Sequence, residues 1–194
     1  AVEDMLRWIV LSKKNIVIAG STGSGKTTFM NALLGVIPEH ERLITIEDTH
    51  ELQISLPNYV GLETAEAHGI DIRRLVRLVL RFRPDRVVVG EVRGQEAYDL
   101  LDVMNTGHSG GACSLHADSP MLALARLESM VRMHPDAQNL PLEALRTQIS
   151  NTFNFVIYCS RYKGRRGPEA IAEIKGLKED GTYHLDTIFD RSDK

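Results

Sequence analysis

One eight-residue stretch, GSTGSGKT at positions 20–27, constrains this chain more than any other. It follows NIVIA, in which Ile16 to Ala19 form a short, largely β-branched apolar run, and it precedes TFMNALLG. Lys26 to Leu34 carry helical apolar spacing at Phe29, Ala32 and Leu33. The stretch therefore predicts a tight connection from a buried strand to a helix, the context in which G-x-x-x-x-G-K-[ST] is informative. Gly20 and Gly25 allow backbone angles that other residues avoid, so successive N–H groups can turn inward around a phosphate chain. The positive end of the following helix faces the same anion. In this reading Lys26 reaches the β- and γ-phosphates of ATP as a point charge, and Thr27 offers its hydroxyl to Mg²⁺.

A chain of 194 residues with 43% hydrophobic content is long enough for one domain with a well-buried core. Its net charge of -3 exerts no general pull toward nucleic acid or anionic lipid, so direct DNA binding is not indicated. Cys113 and Cys159 have no metal-ligand spacing, which argues against zinc and suits a reducing compartment. No apolar run approaches the roughly 18 residues that a membrane helix needs, and a cytosolic protein is expected. The opening AVEDMLRW, with helical spacing already under way, reads as the continuation of a longer chain whose upstream domain precedes it.

Five apolar runs punctuate the first 160 residues, NIVIA, LITIE, VVVG, GACSL and FVIYC, with helical stretches between most of them. That alternation predicts a mainly parallel α/β sheet flanked by helices. The helices are expected over Lys26 to Leu34, Asp71 to Phe82, Gln95 to Asn105, Ser119 to Met133 and Pro141 to Asn151, the last with proline in its first turn. EAIAEIKGL and TYHLDTIFD, around Glu179-Asp180-Gly181, predict an antiparallel hairpin at a sheet edge. HELQISLPNYVGLETAEAHGI is only weakly periodic and reads as strand and loop. Trp8 and the methionines are expected in the core.

Ligands of such sheets sit beyond the carboxyl ends of the strands. There LITIE ends in Glu47 and is followed by Asp48 and Glu51, VVVG is followed by Glu91, and GACSL by His116. A carboxylate beside Mg-ATP either holds the metal's water shell or orients the water that attacks the γ-phosphate. Glu91 is expected to do the first and Glu51 the second, with Glu47 and Asp48 as alternates. His116 can donate to a γ-phosphate oxygen, and His108 is a weaker candidate; a purely structural histidine fits either position as well. Arg73, Arg77 and Arg81 recur at helical spacing and form either a solvated face or an oligomer interface. In the second case one of them, or Arg83 or Arg86, contacts a neighbour's acidic surface or its nucleotide. RYKGRR, from Arg161 to Arg166, reads as a basic loop that is either solvated or a docking site for an acidic partner or lipid.

Four segments occur in order across Asn15 to Asp118: GSTGSGKTT, ITIEDTHEL, RFRPDRVVVGEVRG and TGHSGGACSLHAD. The set resembles the secretion or traffic ATPases, hexameric RecA-like motors of type IV secretion, conjugation, type II secretion and type IV pili. The segments look like that superfamily's Walker A, Asp box, Walker B and His box. RPDRVVVGEVRG with EDTHEL and NTGHSGG is most similar to the type IV secretion and conjugative-transfer branch, with the tight-adherence pilus ATPases near it.

The resemblance implies a RecA-like P-loop NTPase with ATP and Mg²⁺ as cofactors. It implies nucleotide contacts from Ser21, Thr22, Gly23, Ser24, Gly25, Lys26, Thr27 and Thr28, with Glu51 as catalytic glutamate, Glu91 as Walker B acid and His116 near the γ-phosphate. It further implies a homohexamer in the full-length protein, partners in an inner-membrane secretion or conjugation machinery, and a location at the cytoplasmic face of the bacterial inner membrane. Two rivals keep the same nucleotide core. A DNA translocase or helicase-type motor predicts salt-sensitive DNA binding, and a nucleotide-gated scaffold predicts ATP binding with turnover unchanged by Glu51→Gln.

Overall fold

The computed structural model describes residues 2–162 and 164–191. In chain order the elements are α1 (Val2–Leu11), β1 (Ile16–Gly20), α2 (Lys26–Leu34), β2 (Leu43–Glu47), β3 (Tyr59–Glu63), α3 (Ile72–Val79), β4 (Arg86–Val89), α4 (Glu96–Asn105) and β5 (Ala112–Leu115). Then come α5 (Pro120–Val131), α6 (Leu142–Thr152), β6 (Phe155–Tyr162), β7 (Arg165–Leu177) and β8 (Tyr183–Asp190).

The strands form one sheet in the order β3-β2-β4-β5-β1-β6-β7-β8. All pairings from β3 to β6 are parallel, and β6-β7 and β7-β8 are antiparallel. Every residue of β1, β2, β4 and β5 is buried, which is why these strands read as continuous apolar runs rather than alternating ones. Alternate residues still face opposite layers. Val17 and Ala19 pack with α3, α4, α5 and α6 on one face, while Ile16 and Ile18 pack with α1 and α2 on the other.

The helices follow the expected pattern with local departures. The Asp71 side chain caps α3 by accepting from the Arg74 N–H at 2.7 Å. The helix then tightens into a 3-10 turn at Leu80–Phe82 and stops at Arg83, which has a left-handed φ of 51°. Pro84 follows, and a residue before proline is disfavoured in the right-handed α region. Pro141 stands at the N-cap of α6, one position before its first turn. Within the weakly periodic stretch, β3 pairs with β2 as a partly exposed edge strand, and its half-burial accounts for the faint pattern.

Three expectations are corrected. Trp8 is 53% exposed, not core. The buried face of α1 is Ile9 and Val10, and Trp8, about 100° around the helix from Ile9, stands perpendicular to the Phe155 ring with the Lys14 ammonium over its own ring. Met30, Met104 and Met130 are buried, but Met121 and Met133 are exposed. Arg86 is not available to a neighbour. It is fully buried at the start of β4, where Nε and Nη2 donate to Glu41 and Nη1 donates to the carbonyls of Val10 and Gly110.

Candidate functional site

Because β1, β2, β4 and β5 are parallel, their carboxyl ends share one edge of the sheet. A cleft of about 440 Å³ opens there, lined by Thr22, Gly23, Lys26 and Thr27 from the β1–α2 turn. Glu47, Asp48 and Glu51 line it from the β2 end, Gly90, Glu91 and Arg93 from the β4 end, and Ser114 and His116 from the β5 end.

The β1–α2 turn depends on its glycines. Gly25 has φ 93° and leads into α2. A β carbon on Gly20, whose φ is 152°, would lie 2.3 Å from the Cys159 carbonyl oxygen, so no larger residue fits. Lys26 Nζ donates to the carbonyls of Gly20 at 2.7 Å and Ser21 at 3.1 Å. Burial pushes the Lys26 ammonium below its ordinary value, opposed in part by Glu91, Cys159 and Glu51. Ser21 and Thr28 are exposed, and Ser24 is buried. Burial also pushes both free thiols, Cys113 and Cys159, up to about 12.

The segment after β2 folds back onto this turn. Thr27 Oγ1 donates to Glu51 Oε2 at 3.2 Å, and the Gln53 N–H donates to Asn31 Oδ1 on α2 at 2.9 Å. Glu47 is buried beneath, and its Oε1 accepts from the backbone N–H groups of Glu51 and Leu52, each at 3.0 Å. Its carboxylate holds the loop, whereas Glu51 is exposed to the cleft.

At the β4 end Glu91 is gripped from two sides. His116 Nε2 lies 2.8 Å from its Oε1, and Arg93 Nη2 donates to its Oε2 at 2.7 Å. Arg93 Nη1 also donates to Asp48 at 2.9 Å, joining the β2 and β4 loops. Burial acts to raise the Glu91 carboxyl, but the Arg93 hydrogen bond and charge, with His116 and Lys26, outweigh it and hold the group below its ordinary range. Ser114 donates its hydroxyl to the Gly90 carbonyl at 2.5 Å, and the Val92 N–H donates to the Ser114 carbonyl at 2.8 Å, so β5 braces the Glu91 loop.

Sequence reasoning did not single out Arg93 or Ser114. The signal for Arg93 was its place two residues after Glu91; Ser114 inside GACSL carries none. His108 precedes β5, at the opposite end of that strand from His116, and does not line the cleft. Arg77, Arg81 and Arg83 are exposed and stand outside it too. Arg73 is taken up within the chain, donating to Asp99 at 2.9 Å, and Arg77 lies 3.9 Å from the same carboxylate.

Residues 1–163 match the family described as Type II/IV secretion system protein. The chain belongs to that family. It is 39% identical over 178 residues to the type IV secretion system protein PtlH of Bordetella pertussis, covering 89% of this chain and 52% of PtlH. It is 39% identical over 177 residues to the conjugal transfer protein TrbB of Rhizobium radiobacter, again covering 89% and 52%. Among solved structures, the VirB11 ATPase of the Brucella suis type IV secretion system, in complex with sulphate, superposes with a TM-score of 0.80 at 34% identity. That match covers 99% of this chain and 52% of VirB11. The secretion-family chain thus spans about half the length of these relatives, and its RecA-like sheet is the part they share.

Proposed function

We propose that this chain is the ATP-hydrolysing portion of a motor in a bacterial secretion or conjugation apparatus. One observation carries the proposal: side chains from four separated sequence segments converge on a single polar cleft, with the Thr27 hydroxyl bonded to Glu51 at the phosphate-binding turn. In this reading the backbone amides of residues 21–28 and the Lys26 charge grip the triphosphate. Glu51 leans over the terminal phosphate from a loop held by Glu47, and it orients and deprotonates the attacking water. His116, bonded to Glu91, is within the shell of groups that answer to loss of the γ-phosphate.

Thr27, and Glu91 through water, would supply hard oxygen donors suited to Mg²⁺, which would neutralise phosphate charge when bound. Among the described residues no three His, Cys, Asp or Glu side chains gather as a metal cluster. Magnesium held by phosphates, a hydroxyl and water needs none. Glu91 is assigned to that water shell.

The full-length protein is proposed to form a homohexamer in which nucleotide turnover rocks subunits against one another. Arg77, Arg81 or Arg83, all exposed, are the candidates to act on a neighbour. One domain, 1–194, is proposed to carry the chemistry. No helix among the described residues is long and apolar enough to cross a membrane. Attachment at the cytoplasmic face of the inner membrane is therefore proposed to run through machinery partners.

The test is magnesium-dependent ATP hydrolysis and particle symmetry of the full-length protein beside Lys26→Ala and Glu51→Gln. The expected result is a sixfold ring whose turnover collapses in both variants. Turnover unchanged in Glu51→Gln, or none in the wild type, overturns it.

A further inference from the structure

The β6–β7 turn carries positive charge that the cleft does not use. Arg161, Arg165 and Arg166 are exposed. Arg161 stands directly opposite Arg166 in the antiparallel register, so the two share a face, and like charges so placed destabilise a strand pair. Neither forms an ion pair among the described residues. Lys163, in the same RYKGRR stretch, lies outside those residues.

This turn abuts the phosphate-binding turn. The Gly167 N–H donates to the Ser24 carbonyl at 3.2 Å. A β carbon on Gly25 would lie 3.3 Å from Arg166 Cβ, so Arg166 leaves its backbone against the left-handed glycine that opens α2. Strand order supplies the polarity. Glu91 and His116 follow β4 and β5, on one side of β1, whereas β6 and its turn lie on the other. A triphosphate whose terminal phosphate points at Glu91 and His116 directs its opposite end toward the β6 side.

We propose that Arg161 and Arg166 bind the nucleoside monophosphate end of the nucleotide, beyond its β-phosphate. A guanidinium suits that end because it can pair with the α-phosphate and lie flat on the base. The adjacency of two like charges on one strand face is then relieved by the bound anion. The inference rests on the nucleotide-binding reading above.

The test compares equilibrium binding of ATP, ADP and inorganic pyrophosphate to the full-length wild type and to Arg161→Gln/Arg166→Gln. Pyrophosphate fills only the inner part of the site and serves as the control. Loss of charge-assisted contacts is expected to weaken ATP and ADP by about tenfold or more while leaving pyrophosphate unchanged. Arg161→Lys/Arg166→Lys, which keeps the charge but not the planar fork, is expected to fall between the two. Unchanged ATP affinity overturns the proposal, including the case in which only ring assembly is lost and the partner is an acidic neighbour. Equal weakening of pyrophosphate overturns it as well, since the effect then acts through the phosphate-binding turn itself. A wild type that binds none of the three removes the nucleotide reading and this inference together, whereas binding without discrimination removes only this one.

Discussion

Glu47 passes so close to Gly90 that a β carbon on the glycine would lie 2.9 Å from Glu47 Cγ. Glu47 cannot easily move aside, because its Oε1 is bonded to the amides of Glu51 and Leu52. The Gly90 N–H in turn donates to the Ile46 carbonyl at 2.8 Å. The loop carrying Glu51 and the loop carrying Glu91 are thereby set against each other by direct contact.

Gly90→Ala is expected to destabilise the protein by about 1–3 kcal/mol, as overpacking at a rigid site does. It is also expected to lower ATP turnover without removing a reacting group. Chemical denaturation and steady-state hydrolysis check the two effects separately.

Glu47→Ala leaves the buried Leu52 amide and the partly buried Glu51 amide without their acceptor, at about 1–3 kcal/mol for each buried unsatisfied group. Glu47→Gln retains an acceptor oxygen, so most of the loss is expected to be recovered. Faster hydrogen exchange at the amides of residues 51 and 52 in the alanine variant alone is the signature.

Glu91 is held below the ordinary carboxyl value of 4.5, with burial opposed chiefly by Arg93 and then by His116 and Lys26. A carboxyl whose folded value lies below its unfolded one adds stability that is fully present above about pH 4.5. That contribution is lost as pH falls through the lower folded value. A carboxyl-carbon titration by NMR is expected to place the Glu91 midpoint below 4.5 and to move it upward in Arg93→Gln.

Arg86→Ala removes the close guanidinium partner of the buried Glu41 carboxylate, leaves it the Lys13 ammonium at 3.7 Å, and is expected to cost about 3 kcal/mol, the lower end for a broken buried pair. The Val10 and Gly110 carbonyls also lose their donor. Urea unfolding gives the magnitude. A loss below about 1 kcal/mol, the scale of an exposed pair, would sink the assignment of Arg86 as a structural hub.

The helices, the central strands and the final hairpin were legible because each rests on a local signal: apolar period, or a turn at Glu179-Asp180-Gly181. β3 was legible only as part of a strand-and-loop stretch without bounds, since an edge strand with one poorly covered face writes no clear pattern. Trp8 misled because side-chain type is a weaker guide to burial than the direction its helix face points. The arginines divided in the same way. Arg86, Arg73 and Arg93 look alike in a sequence, yet the fold buries the first, pairs the second with Asp99, and stretches the third between Asp48 and Glu91.

By itself the sequence determined that a strand, a glycine-rich turn and a helix follow one another, and that acids and a histidine follow neighbouring strands. These are properties of contiguous residues, encoded by glycine conformation and apolar spacing over a few positions. Only the tertiary structure decided which acid faces the cleft and which braces a loop, and that Arg166 abuts the β1–α2 turn. Those outcomes depend on contacts between residues 24 and 167, 47 and 90, or 48 and 93, whose free energies arise only after the sheet has brought distant segments together.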